Sequence, residues 1–263
     1  MALGRKNPGV FTYFGSKRNV ANILAGKLKD GRPFCEVFAG GAFLTLRLAS
    51  WGAIREAWLN DLDPGMAALW RVVHSKRLIE ALLRRMPRTT TRRLYHEAVD
   101  DLGSAVVDIE TASRDEVLEL AWRKAVSLWS SYSGIGISYV RTRWPRASYV
   151  RSQLIRGHEA LRRVKLRVTN WDFRRVLHAA GRYTLYLDPP YWRIRSGYLK
   201  DFQGRDHMDL ALRLRERDRW LLSYDDCPAV RLLYGWATIE TIGIMYSATG
   251  GAHLGTELLI SPK

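Results

Sequence analysis

The chain has 263 residues, room for one large domain or a domain carrying a smaller insertion, and 47% are hydrophobic, which argues against a disordered or collagen-like chain. Lys and Arg number 42 against 26 Asp and Glu, a formal net charge of +16 at pH 7. Such a field gathers polyanions, so nucleic acid is the leading partner; a solubility charge, a membrane surface or an acidic protein are the blander readings.

Two cysteines, Cys35 and Cys227, make no disulfide framework, and no Cys/His spacing suggests a metal. No apolar run reaches the length of a membrane span, and the first residues lack the apolar core of a signal peptide. The expectation is a cytoplasmic, reduced protein with no membrane contact and no bound metal.

In chain order, strands are predicted over Pro33–Ala39, Ile54–Asn60, Lys165–Asn170, Tyr183–Asp188, Trp220–Tyr224, Ala237–Ile242 and Thr256–Ile260. Amphipathic helices are predicted between most of them, at Ala42–Trp51, Pro64–His74, Asp206–Arg217 and Asp226–Tyr234. Asp63 before Pro64 reads as a helix cap followed by proline at the first helical position. This alternation predicts an α/β fold with a mostly parallel, doubly wound sheet. From Lys76 to Arg163 the pattern is mainly helical and basic, with no core strand, and reads as an insertion.

Four stretches carry chemistry. FCEVFAGGA, Phe34–Ala42, is a strand that ends in Gly40-Gly41, where a backbone can approach a ligand closely. About twenty residues on, the next strand ends at Asn60-Asp61-Leu62-Asp63, and Asp61 stands where an acid meets ribose hydroxyls. The strand YTLYLD ends in Asp188-Pro189-Pro190-Tyr191. The Asp188 carboxylate and the Pro189 carbonyl suit the two hydrogens of an aromatic amine. Their hydrogen bonds favour a pyramidal nitrogen with an available lone pair. Pro189 and Pro190 fix the carbonyl, and Tyr191 offers a face for stacking a base. Tyr13-Phe14-Gly15-Ser16-Lys17 is a weaker signal for closing an anionic site.

The order YFGSK, EVFAGG, LNDLDP, insertion, NWDF, LDPPY, LLSYDD resembles the Dam-type adenine-N6 DNA methyltransferases over nearly the whole chain. The glycine motif precedes the DPPY motif with the recognition region between them, which is that family's alpha arrangement. The resemblance implies a seven-stranded, Rossmann-like S-adenosylmethionine-dependent methyltransferase sheet whose last strand is antiparallel. It divides the chain into a catalytic domain, 1–75 and 164–263, and a target-recognition subdomain, 76–163.

It further implies cofactor contacts from Tyr13 and Lys17, a methionine-side loop of Glu36, Phe38, Ala39, Gly40 and Gly41, ribose binding by Asp61, and Asp172 and Phe173 about the cofactor adenine. Asp188, Pro189, Pro190 and Tyr191 would be catalytic. The partner would be double-stranded DNA with its target base flipped out. Val37, Ala42 and Ser16 depart from the family's usual Pro, Gly and Gly. SSYSGIGI, Ser130–Ile137, is changed enough that target specificity does not transfer. Tyr139, Arg141, Arg143, Trp144, Arg146, Tyr149 and Arg151 alternate aromatic and basic character, which suits DNA contact, with a solvated charged loop as the blander reading. A cytosine-N4 or RNA amine acceptor, or a non-catalytic nucleic-acid binder on the same fold, stands as the alternative. Whether the chain acts as a monomer or homodimer is open.

Overall fold

The structure is a computed structural model that describes residues 10–11, 20–131, 139–140, 144–192, 202–248 and 251–263, with backbone alone at 103–104, 244–248 and 251–254. The elements run α1 (Ala21–Leu28), β1 (Phe34–Glu36), α2 (Phe43–Ser50), β2 (Glu56–Asn60), α3 (Pro64–His74), α4 (Lys76–Arg85), α5 (Arg92–Ser104), α6 (Arg114–Ser130) and α7 (Ala147–Leu161). Then follow β3 (Lys165–Thr169), α8 (Phe173–Ala179), β4 (Thr184–Leu187), α9 (Gly204–Arg215), β5 (Trp220–Asp225), α10 (Pro228–Leu233), β6 (Thr238–Ala248) and β7 (Gly251–Ser261).

All seven strands join one sheet in the order β3-β2-β1-β4-β5-β7-β6. β3, β2, β1, β4 and β5 pair in parallel, and β7 is antiparallel to both of its neighbours. The chain builds outward from β1 through β2 to β3, then restarts at β4 on the other side. β1 and β4 are therefore adjacent strands at a topological switch point, where open α/β sheets form a crevice beyond their carboxyl ends.

Both faces of the sheet are covered, as parallel strands require. Phe34, Ala57, Tyr186, Leu221 and Leu259 face α1 and α2. Cys35, Trp58, Leu185, Leu187, Leu222, Leu258 and Ile260 face the side of α8, α9 and α10, with Cys227 in the same cluster. Among the described residues of 76–163 the elements are the helices α4 to α7, with one isolated strand-like pairing of Ser131 with Tyr139. Buried side chains of α4, α6 and α7 share one cluster with α3 and with Leu59 and Val168 of the sheet. β6 and β7 are longer than the sequence suggests, pairing from Thr238↔Ser261 to Ala248↔Gly251. The glycines at 243, 250, 251 and 255 dilute the alternation that would have announced those arms.

The strand ends are tied by one side chain. Asn60, 1% exposed, closes β2. Its amide nitrogen donates to the Val37 carbonyl after β1 and to the Trp171 carbonyl after β3, each at 3.0 Å. Its oxygen accepts from Trp171 N–H at 2.8 Å and from the Thr169 hydroxyl at 2.7 Å. Thr169 Oγ1 in turn accepts the Trp58 indole N–H at 2.7 Å. Removing Asn60 strands several buried polar groups at once, each at roughly 1–3 kcal/mol. Asn60→Leu is expected to lower stability by about 2–4 kcal/mol in a urea titration. An unchanged midpoint would show that the clamp contributes nothing.

Candidate active site at the carboxyl edge of the sheet

The turn after β1 is shaped by internal packing as much as by any ligand. Gly40 and Ala42 both take positive φ, 42° and 46°. Glycine adopts that region freely and alanine does so at a cost. Ala42 thus occupies the position where a glycine would be unstrained, which gives the sequence departure a backbone meaning. A Cβ on Gly41 would lie 2.1 Å from the Phe43 ring, so its own neighbour demands glycine there. The Trp70 indole of α3 donates to the Gly40 carbonyl at 2.8 Å and fixes the turn from below.

Glu36 ends β1 with its carboxylate turned onto the start of α2. It accepts from Leu44 N–H at 3.3 Å, Thr45 N–H at 3.1 Å and the Thr45 hydroxyl at 2.5 Å. The positive end of the helix suits an acid there. Burial nevertheless pushes Glu36 up to about 7, and the charge of nearby Asp188 adds to the rise. So Glu36 braces the β1–α2 turn and lies within electrostatic reach of the DPPY acid.

Asp61 stands past the end of β2. Its carboxylate accepts Gly40 N–H at 2.7 Å and Asp63 N–H at 3.0 Å, joining the glycine turn to the next loop. Burial first, and the charge of Asp63 second, push Asp61 up to about 6. Asp63 itself caps α3, accepting from Gly65 N–H at 2.8 Å and Met66 N–H at 3.2 Å, with Pro64 in the first helical turn.

Asp188, Pro189, Pro190 and Tyr191 follow β4 directly, one strand over from the glycine turn. The Tyr191 hydroxyl hydrogen-bonds the buried Glu257 of β7, and burial holds that phenol well above its usual range. The Tyr191 ring lies 6.0 Å from Tyr224 of β5, and Trp192 N–H donates to Asp225 at 3.0 Å. An aromatic wall continues sideways. Phe38 meets Phe173 at 6.0 Å and Phe202 at 5.8 Å, and His207 stacks near Trp192 at 4.6 Å. The glycine turn, the NWDF segment and the DPPY segment thus come together at one sheet edge.

The model of the D12 class N6 adenine-specific DNA methyltransferases matches residues 13–247. The chain belongs to that family. It is a DNA adenine methyltransferase with the α/β fold of its class. A comparison with curated proteins finds no match.

The enzyme's other expected site residues fall into three groups. Tyr13 and Lys17 lie outside the described residues, as do Arg141 and Arg143. Asp172 caps α8 by accepting Arg174 N–H at 2.9 Å, and Arg174 also reaches Asp206 and Asp209 at the start of α9. Phe173 is buried against Phe38 and Phe202.

Of the aromatic–basic stretch, Tyr139 donates its hydroxyl to the Thr90 carbonyl at 2.8 Å, and the Trp144 indole donates to the Pro87 carbonyl at 3.1 Å. Arg151 forms a two-pronged pair with Glu80 at 2.7 and 2.9 Å. Arg146 precedes α7 and is exposed, as is Tyr149 at 53%. Among the described residues no group of three or more His, Cys, Asp or Glu is placed to hold a metal, and no helix is long and apolar enough to cross a membrane.

Sequence reading passed over Asn60, Phe202 and Lys124. Asn60 had a signal, a polar residue closing an otherwise apolar strand; Phe202 and Lys124 had none, because their roles depend on distant partners. The raised pKa of Glu36 has a consequence for stability. An acid whose folded value lies above its unfolded one supports the fold below the unfolded value and loses that support as pH rises through the folded one. The window runs from the ordinary 4.5 to about 7. Glu36→Gln keeps an acceptor for the α2 amides and is expected to remove up to about 3 kcal/mol of pH dependence over that window in urea titrations. Identical slopes for the two proteins would refute the assignment.

Proposed function

We propose that the enzyme takes its methyl group from S-adenosylmethionine and places it on N6 of an adenine flipped out of duplex DNA into the crevice between β1 and β4. The observation that carries this reading is the adjacency of two motifs: the glycine turn after β1 and the DPPY segment after β4 close neighbouring parallel strands at the switch point.

The residues present fit such a cofactor. Asp61 offers a carboxylate to ribose hydroxyls from a position held by Gly40 and Asp63. Phe38, Ala39, Gly40 and Gly41 would line the methionine side. The buried ring of Phe173 and the partly buried ring of Phe38 offer an apolar wall for adenine, with Asp172 at its edge. Tyr13 and Lys17 would close the site from the N-terminal segment. When bound, the cofactor supplies an electrophilic methyl on a sulfonium, so no enzyme nucleophile is required and Cys35 and Cys227 have no part to play.

The protein's work is positioning and charge stabilisation. Asp188 and the Pro189 carbonyl accept the two N6 hydrogens, which directs the nitrogen lone pair outward. Those bonds strengthen as positive charge develops on nitrogen, so they favour the transition state over the ground state. Pro190 stiffens the segment, and Tyr191 stacks the flipped base while its hydroxyl is held by Glu257. The spare proton leaves to solvent after transfer.

Residues 76–163 act as the target-recognition subdomain, with Tyr139, Arg141, Arg143, Trp144, Arg146, Tyr149 and Arg151 along the DNA. Within that set, Arg146 and Tyr149 are the exposed members among the described residues whose side chains have no structural partner assigned above. The +16 net charge supports duplex binding that weakens steeply with salt.

Labelled S-adenosylmethionine incubated with mixed-sequence duplex DNA, followed by digestion to nucleosides, is expected to place label in N6-methyladenine. Asp188→Ala should cut that signal by at least about a hundredfold. Label in N4-methylcytosine or in RNA alone would overturn the acceptor. Full activity of the variant would overturn the role of Asp188, and failure to bind the cofactor would favour a non-catalytic DNA binder.

A further inference from the structure

A lysine from the helical segment 76–163 reaches into the cofactor side of the site. Lys124, on α6, is 8% exposed, and its ammonium lies 2.5 Å from Asp63 Oδ2. The other Asp63 oxygen caps α3, and the Asp63 N–H donates to Asp61, whose second oxygen accepts Gly40 N–H. A continuous chain of polar contacts therefore runs from α6 to the glycine turn. The approach is tight: a Cβ on Gly65 would lie 2.9 Å from Lys124 Cβ and 2.8 Å from Leu102 Cδ2. α6 begins at a capping box of Ser113 and Glu116 and ends at Ser130, beside the Ser131↔Tyr139 pairing that opens the basic, aromatic stretch.

We propose that Lys124 is a positioning residue for the cofactor site: its pair with Asp63 holds the Asp61 carboxylate in place, and its own charge keeps that carboxylate ionised. The inference rests on the reading of Asp61 as the ribose acid. Its logic is charge. The Asp63 backbone N–H donates to the Asp61 carboxylate, but the charge of the Asp63 carboxylate opposes Asp61's ionisation. Asp63 raises the pKa of Asp61 by its charge and Lys124 lowers it by the opposite one. From β3 the contact is the neutral Thr169 carbonyl, which accepts Asp61 N–H at 3.2 Å, and from the turn the neutral Gly40 amide. An ionised Asp61 accepts hydrogen bonds from both ribose hydroxyls; a protonated one loses half of that capacity.

The test is calorimetric titration of S-adenosylmethionine into the full chain across pH, without DNA. Wild-type affinity is expected to fall as pH drops through about 6. In Lys124→Met the midpoint should rise by about one pH unit, so that affinity near pH 6 is about fivefold weaker while at roughly pH 9 the two proteins bind alike. Lys124→Met leaves Asp63 buried and unpaired, which threatens folding. Asp63→Asn therefore provides a second comparison, because asparagine still caps α3. Its midpoint should lie below the wild-type value, and adding Lys124→Met to it should raise the midpoint again.

Equal midpoints for Asp63→Asn with and without Lys124→Met would overturn the proposal, as would a weakening that is the same at every pH. Asp61→Asn separates the two ideas. If that variant binds the cofactor normally, the ribose reading fails; if it loses binding while the Lys124 variants keep the wild-type midpoint, the positioning role fails alone.

Discussion

The side chain of Asn60 holds the carboxyl edge of the sheet together. Parallel strands end without turns to join them, so their last carbonyls and amides need partners from elsewhere. Asn60, at the end of β2, supplies two donors and an acceptor and uses them on the segment that leaves β1, on Thr169 of β3 and on the segment that leaves β3. The glycine turn, the Asp61 loop and the NWDF segment each depart from a point it holds. Because it is buried, each bond forms in a medium of low dielectric, where making it is worth more and breaking it costs more.

Around that clamp the enzyme collects acids. Glu36, Asp61, Asp63 and Asp188 stand at the carboxyl ends of strands or just beyond them, and Glu257 lies within β7 opposite Asp225 at the end of β5, in a chain whose net charge is strongly positive. The protein manages the resulting repulsion locally. Glu36 faces a helix start, Asp61 takes two backbone amides, Asp63 takes a helix cap and a lysine, and Glu257 takes a phenol. The site is therefore electrostatically distinct from the molecular surface. The chain as a whole is basic, while the acids gather at the carboxyl edge of the sheet.

The order of elements was largely legible in the sequence because each strand is apolar, short and bounded by Gly, Pro or Asp. All seven strands appear near their predicted places, and Asp63 caps α3 as its Pro64 neighbour announced. What could not be read depends on distance in the chain. Glu80 and Arg151, 71 residues apart, form their pair only once α4 and α7 pack together. Lys124 meets Asp63 across 61 residues, and nothing in the stretch AWRKAV distinguishes it from a solvated lysine. Gly41 was legible as a glycine at a turn, but the Phe43 ring that crowds any side chain there was not. The motifs are legible in the sequence; the contacts that brace them are tertiary.

The two cysteines give this architecture a clock. Cys35 sits in β1, an interior strand of the sheet, and Cys227 at the head of α10, both inside the cluster beneath the sheet and both sheltered from water. Burial drives the Cys35 thiol well above its usual range, so the reactive thiolate is scarce in the folded chain. A thiol reagent must therefore wait for the protein to open. The rate at which it consumes Cys35 measures how often that interior strand parts from its neighbours, while Cys227 reports the looser opening of a surface helix. With only two thiols in the chain, each of these opening rates can be followed without adding a foreign label.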